Sequence, residues 1–553
     1  MIRKWATAPL DRHQPVLMGP SLDERIPEDA PIRLVDEILL GMDWTEWECA
    51  YSGAGRGRPP IHPRLMAAAT LYGMMNRIRS SRDLETAASM RVDFHWLLGG
   101  LPVDHSTFAK FRKEHGDKLE GLLAEMNRQA RAALSAGPGR LAIDGTTMRA
   151  NSARTGARTA RGLLDMVESL ETEFRQVMAD METLDAMDGL DGDEIAALEK
   201  RKAELERERE KLEKALEVAR ERDRAKQEKD GKDARAVRVP LTDTDASVLP
   251  NKDGGHAPNY TATAAVDADT GLIVHADVQD GGDEASAVQP AVEAAAATFG
   301  EKPAQLLADS HFATGANLQY LEGEGIEALA PSKAAAEDNP AARPDPTQPI
   351  DPAQIEDLLK RKGKLDKSLF AYDQEADLYR CPMGRSLPFS RSSGRGGVPG
   401  NRTVAREYQC EDCSSCPLAS KCLSRKAKSR IVTRDEYEPL RESLAARMRT
   451  DQAKEAYKSR APLIETVFGH IKGAMGIRAF LTRGRNSVRA EWRWICAAYS
   501  MRKLVALLGR QRAAASPTDP SPTGTRSPAS LLSRACPAPP FRAAPPRPLP
   551  LAA

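Results

Sequence analysis

Three acidic residues, Asp144, Asp309 and Glu465, are the positions whose type and setting could do chemistry in this chain of 553 residues. Asp144 closes the short apolar run Leu141-Ala142-Ile143, and Asp309 closes Gln305-Leu306-Leu307-Ala308. Each run is too brief for a helix and reads as a buried strand, so both aspartates are expected at strand ends. Glu465 falls in a late stretch with helical spacing. Ligands of an open α/β sheet gather at the carboxyl ends of its strands, so acids distant in sequence could converge there. Hard cations such as Mg²⁺ take one or two protein carboxylates each, with water and phosphate oxygens completing the shell. Three carboxylates therefore suffice for a two-metal phosphoryl-transfer site with ions roughly 3.5–4 Å apart. An aspartate after a strand is also a common turn former or helix cap, so the three count only jointly, in order, on matching elements. Lys472 follows Glu465 by seven residues, nearly two helical turns, which puts an ammonium on the carboxylate's face, where it suits phosphate. His311 and His470 adjoin these positions, but a neighbouring His is more often a packing or surface residue, and neither is assigned a role.

A second group is made of thiols. Of eight cysteines, Cys381, Cys410, Cys413, Cys416 and Cys422 cluster, whereas Cys49, Cys496 and Cys536 stand alone. Local clustering reads as a metal site in a reducing compartment and not as a secreted disulfide framework. Four of the five would complete a tetrahedral Zn²⁺ site, with one spare. An iron–sulfur cluster is the rival, because the first three cysteines of the 410–422 run echo ferredoxin spacing, but five residues, not three, precede Cys422.

The elements that must position these residues follow from periodicity. From Pro31 to about Leu134 apolar residues recur at helical spacing, with Pro63 near one helix start and Ser80-Ser81-Arg82-Asp83 offering a cap. Within that part, Asp104 to Lys113 resembles the opening of a recognition helix. Ser106 and Thr107 lie at its start, Lys110, Arg112 and Lys113 supply cations, and Phe108 and Phe111 face inward. An ordinary solvated helix explains the same pattern. Gly137-Pro138-Gly139 breaks the series before the Asp144 strand.

Leu163, Val167, Leu170, Phe174, Val177, Met181 and Leu184 then form a coiled-coil seam, and after a turn at Gly189-Leu190-Asp191-Gly192 a second arm carries Ile195, Leu198, Leu205, Leu212 and Leu216. The expectation is an antiparallel helical hairpin over 161–230, which could dimerise the protein or close within one chain. Tyr260–Val266 and Leu272–Ala276 read as strands around a tight turn, and Glu284–Phe299 as a helix. Ile326–Ala330 is a further strand, 332–352 a loop, and helices resume from about Glu436 to Leu508. From Ala513 onward Pro, Ala, Ser and Arg dominate without periodicity, so a disordered tail is expected.

Length allows two or three domains. The formal net charge is +1, so nucleic-acid contact must come from local basic faces such as Arg478, Arg483 and Arg485 rather than from a global field. No run of 18 uninterrupted apolar residues occurs, which argues against a membrane span and for a cytoplasmic protein.

Asp144-Gly145-Thr146, Ala308-Asp309-Ser310 and Glu465 with Lys472 resemble the three acidic motifs of DDE transposases with an RNase H-like fold. The resemblance runs from about Ser106 to Leu504, and the N-terminal segment with the cysteine insertion looks like bacterial insertion-sequence transposases of the IS1182 type, near the IS4 and IS5 groups. It implies that Asp144, Asp309 and Glu465 coordinate Mg²⁺ or Mn²⁺, and that the substrate is double-stranded DNA, at the element's terminal inverted repeats and at the target. It implies a helical DNA-binding part over 1–136 and a catalytic part over 137–508 with a cysteine-rich insertion at 372–430; the tail spans 509–553, and a homodimer is expected in the active complex. One departure stands out. The IS4-type signature places three residues between its Arg and Glu, whereas four separate Arg460 from Glu465, which weakens the match at Tyr457 and Arg460. A catalytically silent, zinc-containing DNA-binding factor and a plain nuclease are the other readings of the same residues.

Overall fold

The computed structural model describes residues 19–51, 59–134, 139–185, 192–230, 235–251, 254–279, 281–335, 339–351, 360–361, 364–395, 403–424 and 427–515. The expected break at Gly137-Pro138, most of the turn before Gly192 and most of the tail fall outside these residues.

Seven helices come first: α1 (Pro31–Leu40), α2 (Thr45–Glu48), α3 (Pro63–Met75), α4 (Ser81–Met90), α5 (Val92–Leu98), α6 (His105–Glu114) and α7 (Leu119–Leu134). Their starts obey local chemistry. Pro31 and Pro63 occupy first-turn positions where no amide is needed. Ser80 accepts the Asp83 N–H at 3.0 Å, and Asp104 accepts that of Thr107 at 2.7 Å, each meeting an otherwise unpaired donor.

A mixed sheet follows, made of β1 (Arg140–Arg149) and, after the short β2 (Ala157–Arg158), the helices α8 (Ala160–Asp185) and α9 (Gly192–Asp230) and the short β3 (Val239–Pro240), of β4 (Ser247–Pro250), β5 (His256–Asp267) and β6 (Ile273–Gln279). Helix α10 (Val288–Phe299) leads to β7 (Gln305–Leu307), and α11 (Gly315–Gly323) to β8 (Glu327–Leu329). The strand order is β6-β5-β1-β7-β8, with β4 also on β5. β1 runs antiparallel to β5 and parallel to β7, and β8 is parallel to β7. Side chains alternate between two cores: Ala264 and Val266 join one that includes α7 and the N-terminal helices, while Ala265, Leu141 and Ile143 join another built on α10.

β1 is longer than its apolar run suggested, so Asp144 lies within the strand and not at its end. The ladder with β5 continues from Leu141↔Asp267 through Arg149↔Asn259. The run stops at Asp144 because Gly145, Thr146 and Thr147 are not strongly apolar, although Thr146 and Met148 are buried.

Helices α8 and α9 pack on each other along the expected seam: Leu163, Leu170 and Val177 are buried together with Leu205, Leu212 and Leu216. Beyond β8, two short strands, β9 (Lys360–Arg361) and β10 (Lys364–Leu365), precede an antiparallel five-stranded sheet, β11 (Ala371–Asp373) through β12 (Leu378–Arg380), β13 (Ser386–Arg395), β14 (Thr403–Gln409) and β15 (Ile431–Arg434), with the one-turn α12 (Ala419–Cys422) between the last two. That sheet, whose core holds Tyr379, Leu387, Tyr408 and Val432, was not read from sequence.

The chain then runs through α13 (Glu438–Arg449), α14 (Asp451–Lys458), α15 (Arg460–Gly469), a π-helical turn at His470–Ala474 and α16 (Arg485–Ala515). Trp492 and Trp494 of α16 are fully buried in the core shared with the N-terminal helices. The described residues up to Gly509 form one compact unit. No described helix is long and apolar enough to cross a membrane.

Candidate catalytic site

Asp144 and Asp309 meet because of strand register. Ala142 of β1 pairs in parallel with Leu307 of β7, and each aspartate lies two residues further along its own chain. The two therefore reach the same level of the sheet, Asp144 inside a continuing strand and Asp309 just past the end of one. Oxygens of Asp144, Asp309 and a third acid, Glu284, all lie within 4.8 Å of one another. Glu284 precedes a 3₁₀ turn at Ala285–Ala287 that leads into α10.

The charges around this group come from late helices and from the loop after β7. Arg460, the first residue of α15, lies with Nη2 3.1 Å from Asp144 Oδ2. The Gly145 amide donates to Asp144 Oδ1 at 2.8 Å. The His311 amide donates to Asp309 Oδ1 at 2.7 Å, and its Nδ1 is 3.3 Å from Oδ2. Lys472 donates to Thr146 Oγ1 at 2.6 Å and to the Thr147 carbonyl at 2.9 Å.

Burial governs the electrostatics. It raises the Asp144 carboxyl above its ordinary value, with the Asp309 charge adding to it, and the Arg460 guanidinium and the Gly145 amide offset only part of the rise. Burial, then the charges of Asp144 and Asp309, push Glu284 up from 4.5 to about 7, opposed by His311 and Arg460. Burial also raises the nearby Tyr457 phenol; the Arg460 charge lowers it and the Asp309 charge raises it. An all-oxygen donor set of this kind fits a hard divalent cation.

Glu465 is exposed on α15 and is not part of the group of converging oxygens. Lys472 reaches β1 from the π-helical turn at His470–Ala474, while the Glu465 side chain is exposed. Arg460, discounted on spacing, is the residue of that helix that reaches Asp144. Sequence reasoning missed Glu284, read only as a helix start, and Gly145, where a Cβ would overlap the Glu284 carboxylate. A glycine amid strand residues was the available signal.

The other expected site residues lie elsewhere. Ser106 donates to the capping Asp104, Thr107 is half-buried beside it, and Lys110 and Lys113 are exposed on α6. Arg112 turns inward, donating to the Arg79 carbonyl at 2.7 Å and to Ser81 Oγ at 3.3 Å. Arg478 and Arg483 are exposed and donate to the Lys472 and Asn151 carbonyls, while the Arg485 amide donates to Asp245.

Cys381, Cys410, Cys413, Cys416 and Cys422 all line one small cavity with Leu365, Phe370 and Arg430. Burial raises the Cys381 thiol, pushes Cys422 up to about 11, and, with the Cys413 thiol beside it, pushes Cys410 up to about 12. Among the described residues no three of these sulfurs lie within 4.8 Å of one another, so a closed tetrahedral site is not preformed.

Two family profiles match the chain. "Transposase DDE domain" covers residues 380–505 and "Transposase domain (DUF772)" covers residues 20–114. No curated protein and no solved structure matches. The first match includes Glu465, Lys472 and the cysteine cluster, and the second spans α1 to α6. Asp144, Glu284 and Asp309 lie between the two matches, so their assignment depends on geometry. A transposase DDE domain carries an RNase H-like fold, with which the mixed sheet is consistent. The paired domains are those typical of IS1182-family transposases, and they are consistent with a DDE transposase.

Proposed function

We propose that this protein is a divalent-metal-dependent transposase that cleaves double-stranded DNA at the terminal inverted repeats of its element and joins the 3′-hydroxyl ends to target DNA. The observation that carries the proposal is the meeting of Asp144, in β1, with Asp309, just past the end of the adjacent parallel strand β7. Mg²⁺ or Mn²⁺, when bound, would supply charge neutralisation at the scissile phosphate and activation of the attacking oxygen. Asp144 and Asp309 would hold that cation. Arg460 and Lys472, both beside β1, would take phosphate oxygens of the DNA once it displaces their present contacts. Glu465, the third acid of the family resemblance, would have to turn inward on α15 to join them.

Residues 1–136 would bind the element's ends, with Ser106, Thr107, Lys110 and Lys113 on α6 toward the DNA and Arg112 bracing the helix from within. Residues 137–508 would carry the catalysis. Four of the five clustered cysteines would close around a structural Zn²⁺ and fix the inserted sheet. Two copies are expected in the active complex, through a surface other than the hairpin seam, which the chain fills itself.

The test is strand transfer on an end-containing duplex with Mg²⁺, comparing the unaltered protein with Asp144→Asn. Transfer by the unaltered protein and its loss in the variant support the proposal. Equal transfer by both rejects the metal-site assignment, and binding without transfer by either favours a silent DNA-binding factor. Cleavage without joined product identifies a nuclease.

A further inference from the structure

We infer that Glu284 is a metal ligand of this site, completing with Asp144 and Asp309 the carboxylate set that holds the divalent cation. The inference rests on the metal-dependent function proposed above and adds a residue that neither family match contains. Its oxygen, with one from each aspartate, falls in a group no more than 4.8 Å across. Ligand oxygens around an octahedral Mg²⁺ sit roughly 2.9–4.2 Å apart, given metal–oxygen distances of roughly 2.0–2.1 Å. Only a small contraction would bring the three carboxylates into such a shell.

The ordinary structural explanations for Glu284 do not apply. It occupies the capping position of the 3₁₀ turn, yet its side chain makes no capping hydrogen bond, and the neighbouring Asp283 accepts the Ala285 amide instead at 3.2 Å. Arg460 is directed to Asp144, and the His311 imidazole lies beside Asp309. Among the described residues no side chain donates a hydrogen bond to Glu284 or forms an ion pair with it. A half-buried carboxylate is thus held against two others, sharing the Arg460 and His311 charges with the aspartates and making no ion pair of its own, an arrangement a bound divalent ion would satisfy.

The backbone makes room for it. Gly145 sits amid the β1 ladder, where glycine weakens a strand, and a Cβ there would overlap the Glu284 carboxylate. The missing side chain is what allows an acid from the start of α10 to approach the aspartate of β1.

The experiment is Mn²⁺ binding to the full chain without DNA, read by the loss of the free Mn²⁺ paramagnetic resonance signal, for the unaltered protein, Glu284→Gln, Glu465→Gln and Asp144→Asn. Glutamine keeps the shape and removes the charge, and circular dichroism checks that each variant folds. The inference expects Glu284→Gln to weaken Mn²⁺ binding at least about tenfold, as Asp144→Asn does, with Glu465→Gln close to the unaltered protein in the absence of DNA. Weak binding by Asp144→Asn alongside unchanged binding by Glu284→Gln overturns the role of Glu284 and leaves the aspartate pair standing. Unchanged binding by both variants overturns the inference and the metal-site reading together.

Discussion

Replacing Glu284 with Gln should stabilise the metal-free protein at alkaline pH and not at acid pH. The carboxyl is held at about 7 against an ordinary 4.5, because it is partly buried beside two aspartates. The folded state therefore binds this proton more tightly than the unfolded chain does. Stability is highest below 4.5 and falls as pH rises from 4.5 through about 7, as the proton is lost into an unfavourable setting. Full burial would make that loss about 3 kcal/mol, and solvent reaching the half-buried group cuts it to roughly 1–2 kcal/mol. Glu284→Gln removes the penalty, so in EDTA it should denature at a higher urea concentration than the unaltered protein at pH 8 and at the same concentration at pH 4.5. Adding Mn²⁺ should cancel most of that difference. A cation at one hundred times its Kd stabilises the folded state by about 2.7 kcal/mol, and a variant that binds it tenfold more weakly gains only about 1.4 kcal/mol. Lower metal-free stability of the variant at pH 8, or a difference that does not change with pH, would refute the electrostatic account of this acid.

Three other consequences can be checked directly. Gly145→Ala places a Cβ against the Glu284 carboxylate and should lower both Mn²⁺ affinity and strand transfer by at least about tenfold with the helical content intact; unchanged values would mean the carboxylate moves aside freely. Arg131→Met should cost roughly 3–5 kcal/mol in urea unfolding, because Asp267, fully buried and 2.7 Å from the guanidinium, is left charged without its partner, whereas a cost under about 1 kcal/mol would show that the pair is dispensable. The purified chain should carry stoichiometric zinc by elemental analysis and lose it when Cys410 and Cys413 are both replaced by Ser, which leaves only three of the five thiols, while a zinc-free chain that unfolds cooperatively would remove zinc from the account.

Much of the scaffold was legible because its signals are local. Proline at helix starts, the Ser80 cap, the heptad seam and the short apolar runs at Leu141 and Leu306 each announce an element within a few residues. The site was legible only in part. Asp144 and Asp309 could be anticipated because each follows a strand-like run, but their alignment depends on the Ala142↔Leu307 register between strands more than 150 residues apart. Glu284 was hidden because a Glu before a helix has an ordinary explanation, and only the bare Cα of Gly145 across the fold removes it. That Glu465 stays outside the group of converging carboxylates could not be read from spacing, which puts residues on one helix face without saying what that face packs against. The inserted five-stranded sheet escaped notice because its first strands span only three residues each and it stands among turns, polar stretches and cysteines, so period-2 alternation has little length in which to show.

The most direct measurement is the anomalous scattering of Mn²⁺ soaked into crystals of the full chain. A peak within about 2.6 Å of carboxylate oxygens from both Asp144 and Asp309 is the predicted result. Crystals in which manganese occupies other positions and leaves those two aspartates unliganded would contradict it.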